Sequence, residues 1–543
     1  MENFIDLLKK AIKNDKNNSL VRTENGALEY KSSGTKLVDL NYAVSSLRDA
    51  DPQQICDLFD EAYSENPKYA ILWLFYASDI RRGLGERRLF RILFKHLCKL
   101  DPLCGEHLIP LVPVYSRWDN LWCLMEDKDM PNSIYLTVVK LVTIQLTEDM
   151  RHTQKHENIS LLAKWMPSNN TSSSRSIMLA CKFETALGIT SKDYRKMLSA
   201  LRRYLDLVEI HASKNDWGGI DYNKVPSRAN LMYRNAFATH DKARYNEYIQ
   251  QVTEGKAKIN DSVNFPHDIV HQYMKDSYYS YPDKSIDNII EALWKAFPDY
   301  VEGGSSTLVV ADASGSMLDT IDKSGVTAIE VAFAIGIYFA EKLPEPYHNK
   351  IITFSANPDY IYLPGTSLLD NLKALYLDNL KALYRHSEMT NTNIEKTMAL
   401  ILRTAIENNL TQDQLPRNIL ILSDMEFDAM VDIDDDDSHT RWAYNRYWEN
   451  KDYLAKRKSS FDKIVEKFKE AGYKMPKITF WNLKSRTRGI PLKENELGVN
   501  LVSGFSPAVV KLVMSEKSDP YEALKEILDS NRYKPVADAI DLK

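Results

Sequence analysis

Apolar residues repeat with the period of an α-helix through most of the first 300 positions. Five segments carry apolar side chains at i, i+3, i+4 and i+7, which places those side chains on one face of a helix. Asn-Pro, Asp-Pro and Gly-Gly pairs separate the segments and indicate turns. The pattern predicts stacked helix pairs, as in a degenerate helical repeat of the α-solenoid kind. The five segments are residues 55–65, 70–82, 87–100, 134–150 and 196–212.

After residue 300 the pattern changes to short β-branched apolar runs that alternate with helical segments. This alternation predicts an α/β domain with a doubly wound, mostly parallel sheet. The expected strands lie within residues 306–314, 349–356, 417–427, 476–483 and 499–504, and the helices lie near 325–342, 393–408 and 459–472.

The domain organisation follows from the change near residue 300. We predict a helical-repeat domain over residues 1–300, an α/β domain over residues 301–515 and a C-terminal helical tail over residues 516–543. The sequence DNLKALY occurs twice in succession, at 370–376 and 378–384, which favours one long helix.

Composition limits the class of protein. Hydrophobic residues make up 44% and charged residues 27% of the 543, which is typical of a globular protein and excludes disorder as the main state. The sequence shows no apolar run long enough to span a membrane and no secretion signal at the N-terminus. The five cysteines lack paired spacing, so we expect buried thiols and a cytoplasmic protein.

The charge distribution is more informative than the net charge of −5. Residues 151–250 contain 16 Lys and Arg residues against 9 Asp and Glu residues. A basic stretch of this size fits a polyanionic partner, although the solvated faces of ordinary helices account for it equally well.

Candidate RNA contacts lie in this basic stretch, where aromatic residues that could stack on unpaired bases alternate with cations. The aromatic residues are Trp165, Tyr194, Trp217, Tyr222, Tyr233 and Tyr245. The cations are Lys164, Arg175, Arg195, Lys196, Arg202, Arg203, Lys224, Arg228, Arg234 and Arg244. The alternative is that the aromatic residues belong to the core.

The sharpest chemical motif follows the first predicted strand of the α/β domain. Asp312, Ser314 and Ser316 form a D-x-S-x-S motif, and ligands of open α/β sheets bind at the carboxyl ends of strands. One carboxylate and two hydroxyls from a single loop suit Mg²⁺ or Mn²⁺, which prefer oxygen donors. Thr392 precedes a predicted helix, and Asp424 ends another buried strand.

Together these five residues resemble the metal-ion-dependent adhesion site of von Willebrand factor A domains. The resemblance implies direct ligation by Ser314 and Ser316, ligation by Thr392 directly or through water, and contributions of Asp312 and Asp424 through waters. One coordination position would accept an acidic group of a partner protein. Thr390 could take the role of Thr392.

The N-terminal half carries a second resemblance. Segments 23–40, 79–91, 116–120, 160–168 and 224–248 are similar to the family called domain of unknown function 2828. That family resembles the TROVE module of Ro autoantigen-like proteins, a helical-repeat ring fused to a von Willebrand A domain, and the similarity runs from about residue 20 to about residue 510. It implies binding of single-stranded or small structured RNA, by analogy of fold.

Common catalytic motifs are absent: the sequence has no P-loop, no H-E-x-x-H and no G-x-S-x-G. We therefore expect a non-enzymatic protein that binds RNA and recruits a protein partner through its metal. A protein-only adaptor and a metal-assisted hydrolase are the alternatives; the hydrolase lacks an evident general base.

Overall fold

A computed structural model describes most of the chain. It covers residues 20–259, 264–275, 285–299, 301, 306–354, 359–384, 394–427, 460–493, 497–506, 509–515 and 517–542. Thr392, its alternative Thr390 and the extreme N-terminal segment lie outside the described residues.

Helices account for most of the described secondary structure. In the first half they are α1 (Lys36–Tyr42), α2 (Pro52–Glu65), α3 (Pro67–Ser78), α4 (Arg87–Leu100), α5 (Pro102–Leu108), α6 (Val112–Tyr115), α7 (Trp122–Glu126), α8 (Asn132–Gln154), α9 (Leu162–Trp165), α10 (Ser174–Leu187), α11 (Ser191–Tyr204), α12 (Val208–Ser213), α13 (Ser227–His240), α14 (Lys242–Thr253), α15 (Pro266–Met274) and α16 (Asn288–Lys295). In the second half they are α17 (Ala328–Lys342), α18 (Leu368–Tyr384), α19 (Ile394–Glu407), α20 (Ser460–Glu470), α21 (Val510–Met514), α22 (Pro520–Leu528) and α23 (Lys534–Asp541).

The strands form two sheets. A short antiparallel hairpin joins β1 (Leu20–Arg22) and β2 (Leu28–Tyr30). The main sheet contains β3 (Thr307–Asp312), β4 (Lys350–Phe354), β5 (Asp359–Tyr362), β6 (Asn418–Ser423), β7 (Lys477–Asn482) and β8 (Val499–Ser503).

The chain divides into two compact units, and each is built from several segments. The sheet unit contains residues 1–49, 265–286 and 299–527, and the helical unit contains residues 50–264, 287–298 and 528–543. This grouping differs from the predicted division at 300 and 515, because short segments pack far from their neighbours in sequence.

Hydrogen bonds show why the N-terminal segment belongs to the sheet unit. The main-chain N–H of Ser45 donates to Oγ of Ser503 at 2.9 Å, and Nδ2 of Asn482 donates to the carbonyl of Tyr42 at 3.0 Å. Both acceptor and donor lie at the ends of β7 and β8. In the helical unit, the C-terminal tail is fixed by Arg532, whose Nε donates to Asp79 at 2.8 Å.

Asx-Pro pairs begin three successive helices of the helical unit. In α2, α3 and α5 an Asp or Asn precedes proline and its side chain accepts a hydrogen bond from a main-chain N–H in the first turn. Proline at the first helical position loses no hydrogen bond there and fixes φ in advance. The sequence signals that predicted these turns therefore also define where the helices start.

The main sheet has the strand order β5-β4-β3-β6-β7-β8. All neighbouring pairs are parallel except β4 and β5, which are antiparallel. The five strands predicted from sequence are confirmed, whereas β5 and the β1–β2 hairpin were not predicted. From β3 the chain moves outward in one direction to β4, and from β6 it moves in the other, so β3 and β6 flank the switch point of the sheet.

One face of the sheet is covered by α19 and α20. The shared core contains side chains from β3, β6, β7 and β8 together with apolar residues of both helices, among them Val310, Ile421, Phe480, Met398 and Phe461.

Helix α17 covers the opposite face. A Cβ atom at Gly336 would lie 3.3 Å from Cδ1 of Ile351 and 3.7 Å from Cδ1 of Leu422, so glycine allows a close approach of helix and sheet. The rings of Phe339 and Trp481 pack edge to face with centroids 6.2 Å apart. Helices therefore cover both faces, which confirms the predicted α plus α/β architecture at the level of its layers.

Two further observations concern surface and environment. No described helix is long and apolar enough to cross a membrane. Cys56, Cys98 and Cys104 are buried, but Cys181 is exposed on α10, so the expectation that all the thiols are buried is wrong for that residue.

Candidate functional site

Parallel pairing of β3 and β6 brings two aspartates to the same edge of the sheet. Val310 pairs with Ile421 and Ala311 with Leu422, so the two strands end side by side. Asp312 is the last residue of β3, and Asp424 follows the last residue of β6. This edge lies at the switch point, where open α/β sheets bind their ligands.

The carboxylate of Asp312 is fully buried and fixed by two hydrogen bonds. Its Oδ2 accepts from the hydroxyl of Ser423 at 2.6 Å, and its Oδ1 accepts from the main-chain N–H of Ser314 at 2.8 Å. One donor comes from β6 and the other from the loop after β3. The carboxylate is therefore held in one orientation by both sides of the switch point.

The two serine hydroxyls of the motif lie together. A short 3₁₀ turn begins directly after Ser314 and spans Gly315–Leu318, and the Oγ atoms of Ser314 and Ser316 are 3.0 Å apart. Both serines are only partly buried, unlike the two aspartates. The loop thus presents two hydroxyl oxygens toward the solvent side of the buried carboxylates.

Electrostatics at the site favour a cation. Burial raises the pKa of Asp312 to about 7, and the negative charge of Asp424 adds to this effect. Burial also raises the pKa of Asp424, and a hydrogen bond from Ser316 opposes the increase. Two buried carboxylates side by side are unfavourable when both are ionised, and a divalent cation would remove that cost.

The donor set fits a hard cation. Two carboxylates and two hydroxyls supply only oxygen, which Mg²⁺ and Mn²⁺ prefer. Within the described residues, no three His, Cys, Asp or Glu side chains cluster in a metal-binding arrangement, so a metal here would depend on the serines. The contribution of Thr392 stays a prediction.

Sequence reasoning missed three residues around this site. Ser423 orients Asp312, as described above. Glu426 is buried behind Asp424, and its two carboxylate oxygens accept from the main-chain N–H groups of Glu24 and Arg486 at 2.9 Å each.

The guanidinium of Arg486 lies nearby and pairs with Asp319 at 2.5 Å and with Glu24. Positions so far apart in the sequence carry no local signal of this contact.

The candidate RNA-binding cations divide into two groups. Arg175, Arg195, Lys196, Arg203, Lys224, Arg228 and Arg244 are exposed, whereas Lys164, Arg202 and Arg234 are partly buried. Several are paired within the protein, such as Lys164 with Glu209 at 3.1 Å and Arg175 with Glu126.

Arg202 has a structural role. Its guanidinium donates to the carbonyls of Ala163 and Met166 at 2.8 and 2.7 Å and to Oγ of Ser168 at 2.9 Å. By contrast, Arg195 and Arg203 project from the same helix, α11, into solvent.

The interleaved aromatic residues mostly belong to the core. Tyr194, Tyr222 and Tyr245 are at most 4% exposed, so they cannot stack on bases. Trp217 stacks on His240 with ring centroids 4.6 Å apart. Here the structure differs from the expectation, because the period that places these rings on a helix also turns them inward.

Comparisons with known proteins agree with the two halves of the fold. Residues 178–303 match the model of a family described as Domain of unknown function (DUF2828), and residues 306–538 match another described as Domain of unknown function (DUF7788). The Uncharacterized protein L728 of Acanthamoeba polyphaga mimivirus is 28% identical over 551 residues, which cover 95% of this chain and 88% of the viral protein. The predicted similarity to the uncharacterised family 2828 is therefore confirmed for residues 178–303, and the sheet region is similar to a second family whose function is unknown.

Proposed function

We propose that the sheet unit binds Mg²⁺ or Mn²⁺ at the switch point and uses it to hold an acidic residue of a partner protein. The observation that carries this proposal is the pair of buried carboxylates, Asp312 and Asp424, at adjacent strand ends beside two serine hydroxyls. The arrangement fits the metal-ion-dependent adhesion site of von Willebrand A domains, with Thr392 completing the donor set.

The residues of the chain prepare the site in distinct ways. Ser423 and the N–H of Ser314 orient the carboxylate of Asp312, so little rearrangement is needed when a cation arrives. Ser314 and Ser316 lie on the accessible side, where a partner can approach. A bound cation would supply positive charge for a partner carboxylate, and the surrounding protein would exclude water from part of the site.

We propose RNA binding as the function of the helical unit, which on this proposal is a TROVE-like helical repeat. The exposed cations Arg195, Lys196 and Arg203 on α11 support it, since three charges on one helix can contact a phosphate backbone. The buried tyrosines do not support it. The resulting protein would be a cytoplasmic, non-enzymatic adaptor between RNA and protein.

Two other functions make different predictions. A protein-only adaptor would copurify without nucleic acid, so its absorbance ratio at 260 and 280 nm would not change on RNase treatment. A metal-assisted hydrolase would turn over a phosphate ester only with the metal present, and loss of Asp312 would abolish that turnover.

The metal proposal is tested by calorimetric titration of the metal-free full chain with Mg²⁺ and with Mn²⁺. Asp312→Ala should abolish binding while circular dichroism stays unchanged. Asp413→Ala, at an exposed aspartate elsewhere in the sheet unit, is the matched control and should bind normally. Equal affinity in the Asp312 variant would show that the metal, if bound, lies elsewhere.

The RNA proposal is tested by fluorescence anisotropy with a labelled single-stranded oligoribonucleotide. Charge reversal to Glu at Arg195, Lys196 and Arg203 should weaken binding more than about tenfold, because phosphate contacts dominate affinity. Arg202 is left unchanged, since its loss would disturb the fold. Reversal at Lys140, Lys155 and Lys214, which are also exposed, changes the net charge equally and is the control. An RNA affinity that is the same in both variants would contradict this assignment.

A further inference from the structure

Four arginines from separate segments of the helical unit gather around one aspartate. Arg117 donates from Nε to Asp119 at 2.8 Å, and Arg91 donates from Nη2 to the same carboxylate at 2.9 Å. The charge of Arg87 also acts on Asp119, and that of Arg228 acts on Arg87. We call these four residues the arginine cluster.

Positive charge exceeds negative charge in the arginine cluster. Surrounding protein atoms lower the pKa of Arg87, and the charges of Arg117, Arg91 and Arg228 lower it further, more than Asp119 can offset. Even with the buried carboxylate of Glu86 included, four guanidinium groups face two carboxylates. The cluster thus retains about two positive charges that the fold does not neutralise.

Two helix N-termini add to this charge. Arg87 is the first residue of α4 and Arg228 the second of α13, and neither helix has a side-chain cap or an acidic residue in its first turn. Cations at a helix N-terminus oppose the macrodipole, which favours negative charge there. The arrangement is unfavourable for each helix by itself and becomes favourable when an anion is bound.

Parts of the cluster are ordered in advance. The guanidinium of Arg117 stacks on Trp165, 3.7 Å from its ring centroid, and Nε of Arg91 donates to Asn120 at 2.8 Å. Next to Arg228, the Oγ of Ser227 is 1% exposed and has no hydrogen-bond partner among the described residues. Fixed guanidinium groups and a spare hydroxyl are suitable donors for an oxyanion.

We propose that the arginine cluster is a binding site for a phosphate group. Guanidinium groups match the oxygen geometry of phosphate and bind it through paired hydrogen bonds, and two excess positive charges match a phosphate dianion. The phosphate could be free or part of an RNA backbone, and the experiment separates the two. The site is distinct from α11 and from the metal site.

The test uses the double variant Arg87→Gln, Arg228→Gln of the full chain. Both side chains are exposed, so the variant should fold, which circular dichroism checks. Calorimetric titration with inorganic phosphate and with pyrophosphate, at constant ionic strength, should show binding to the wild type and a loss of about tenfold in affinity per arginine. Lys140→Gln, Lys214→Gln removes two exposed charges elsewhere and should leave affinity unchanged.

A second titration uses the labelled single-stranded oligoribonucleotide. If free phosphate fails to bind but the Arg87 and Arg228 variant loses RNA affinity, the site accepts a phosphate within an RNA chain. If either ligand binds the variant as tightly as the wild type, or if neither binds the wild type, the proposal is wrong. RNA binding that depends on α11 but not on this variant keeps the RNA function and removes the arginine cluster from it.

Discussion

Replacing Asp312 with asparagine should stabilise the metal-free sheet unit at pH 8. Burial and Asp424 raise the pKa of Asp312 from an ordinary value of 3.8 to about 7. The ionised form is therefore disfavoured in the fold, and its contribution makes stability fall as the pH rises from about 4 to about 7. A shift of about three units corresponds to roughly 4 kcal/mol above pH 7.

Part of this gain is lost with the charge. The hydrogen bonds from Ser423 and from the N–H of Ser314 weaken when their acceptor becomes neutral, at a cost of about 1 kcal/mol each. The net increase in the free energy of unfolding should be about 2 kcal/mol at pH 8 in the presence of a chelator, and it should vanish near pH 4, where wild-type Asp312 is protonated.

Metal should reverse the order of stability. At a Mg²⁺ concentration a hundred times the dissociation constant, the wild type gains about 2.7 kcal/mol and the variant gains nothing. Differential scanning calorimetry of both proteins at pH 8, with chelator and with Mg²⁺, measures each quantity, and Asp413→Asn is the control. An equal gain from Mg²⁺ in the Asp312 variant would refute the metal assignment. A variant less stable than the wild type in chelator at pH 8 would refute the charge argument.

Two predictions concern the helical unit and are measured by chemical denaturation. Gly83→Ala should destabilise it by about 1–3 kcal/mol, because a Cβ there would lie 1.9 Å from a main-chain oxygen, whereas Gly218→Ala, with nothing within 4 Å, should cost much less. Arg532→Met should cost about 3–5 kcal/mol by leaving the fully buried Asp79 without its partner, whereas Lys534→Met removes only an exposed pair and should change stability by less than about 1 kcal/mol. If the two variants of either pair are equally stable, the packing or charge argument for that pair is wrong.

Local periodicity determined the positions of the main strands and helices. The β-branched runs ending at Asp312 and Ser423 predicted β3 and β6, and the duplicated DNLKALY segment predicted the single helix Leu368–Tyr384. These predictions succeed because burial imposes a period that the residues must show in sequence. The short antiparallel strand Asp359–Tyr362 has no such run and was missed.

The candidate metal site was partly accessible for the same reason. Parallel strands end at a common edge, so Asp312, Ser314, Ser316 and Asp424 could be placed there from the strand order that a resemblance suggested. The role of Ser423 could not, because its hydroxyl matters only through a hydrogen bond to a residue 111 positions earlier.

The sequence by itself thus determined the two fold classes, the strand ends and the donor types of the candidate site. Tertiary structure decided which cations are exposed, which aromatic residues are core, and which distant segments share a unit. Arg195 and Arg202 lie on one basic helix, yet one reaches solvent and the other hydrogen-bonds the main chain of residues 163 and 166. The arginine cluster likewise joins segments near positions 90, 117 and 228, and no local pattern can show this, because charge repulsion depends on distance in space and not on separation along the chain.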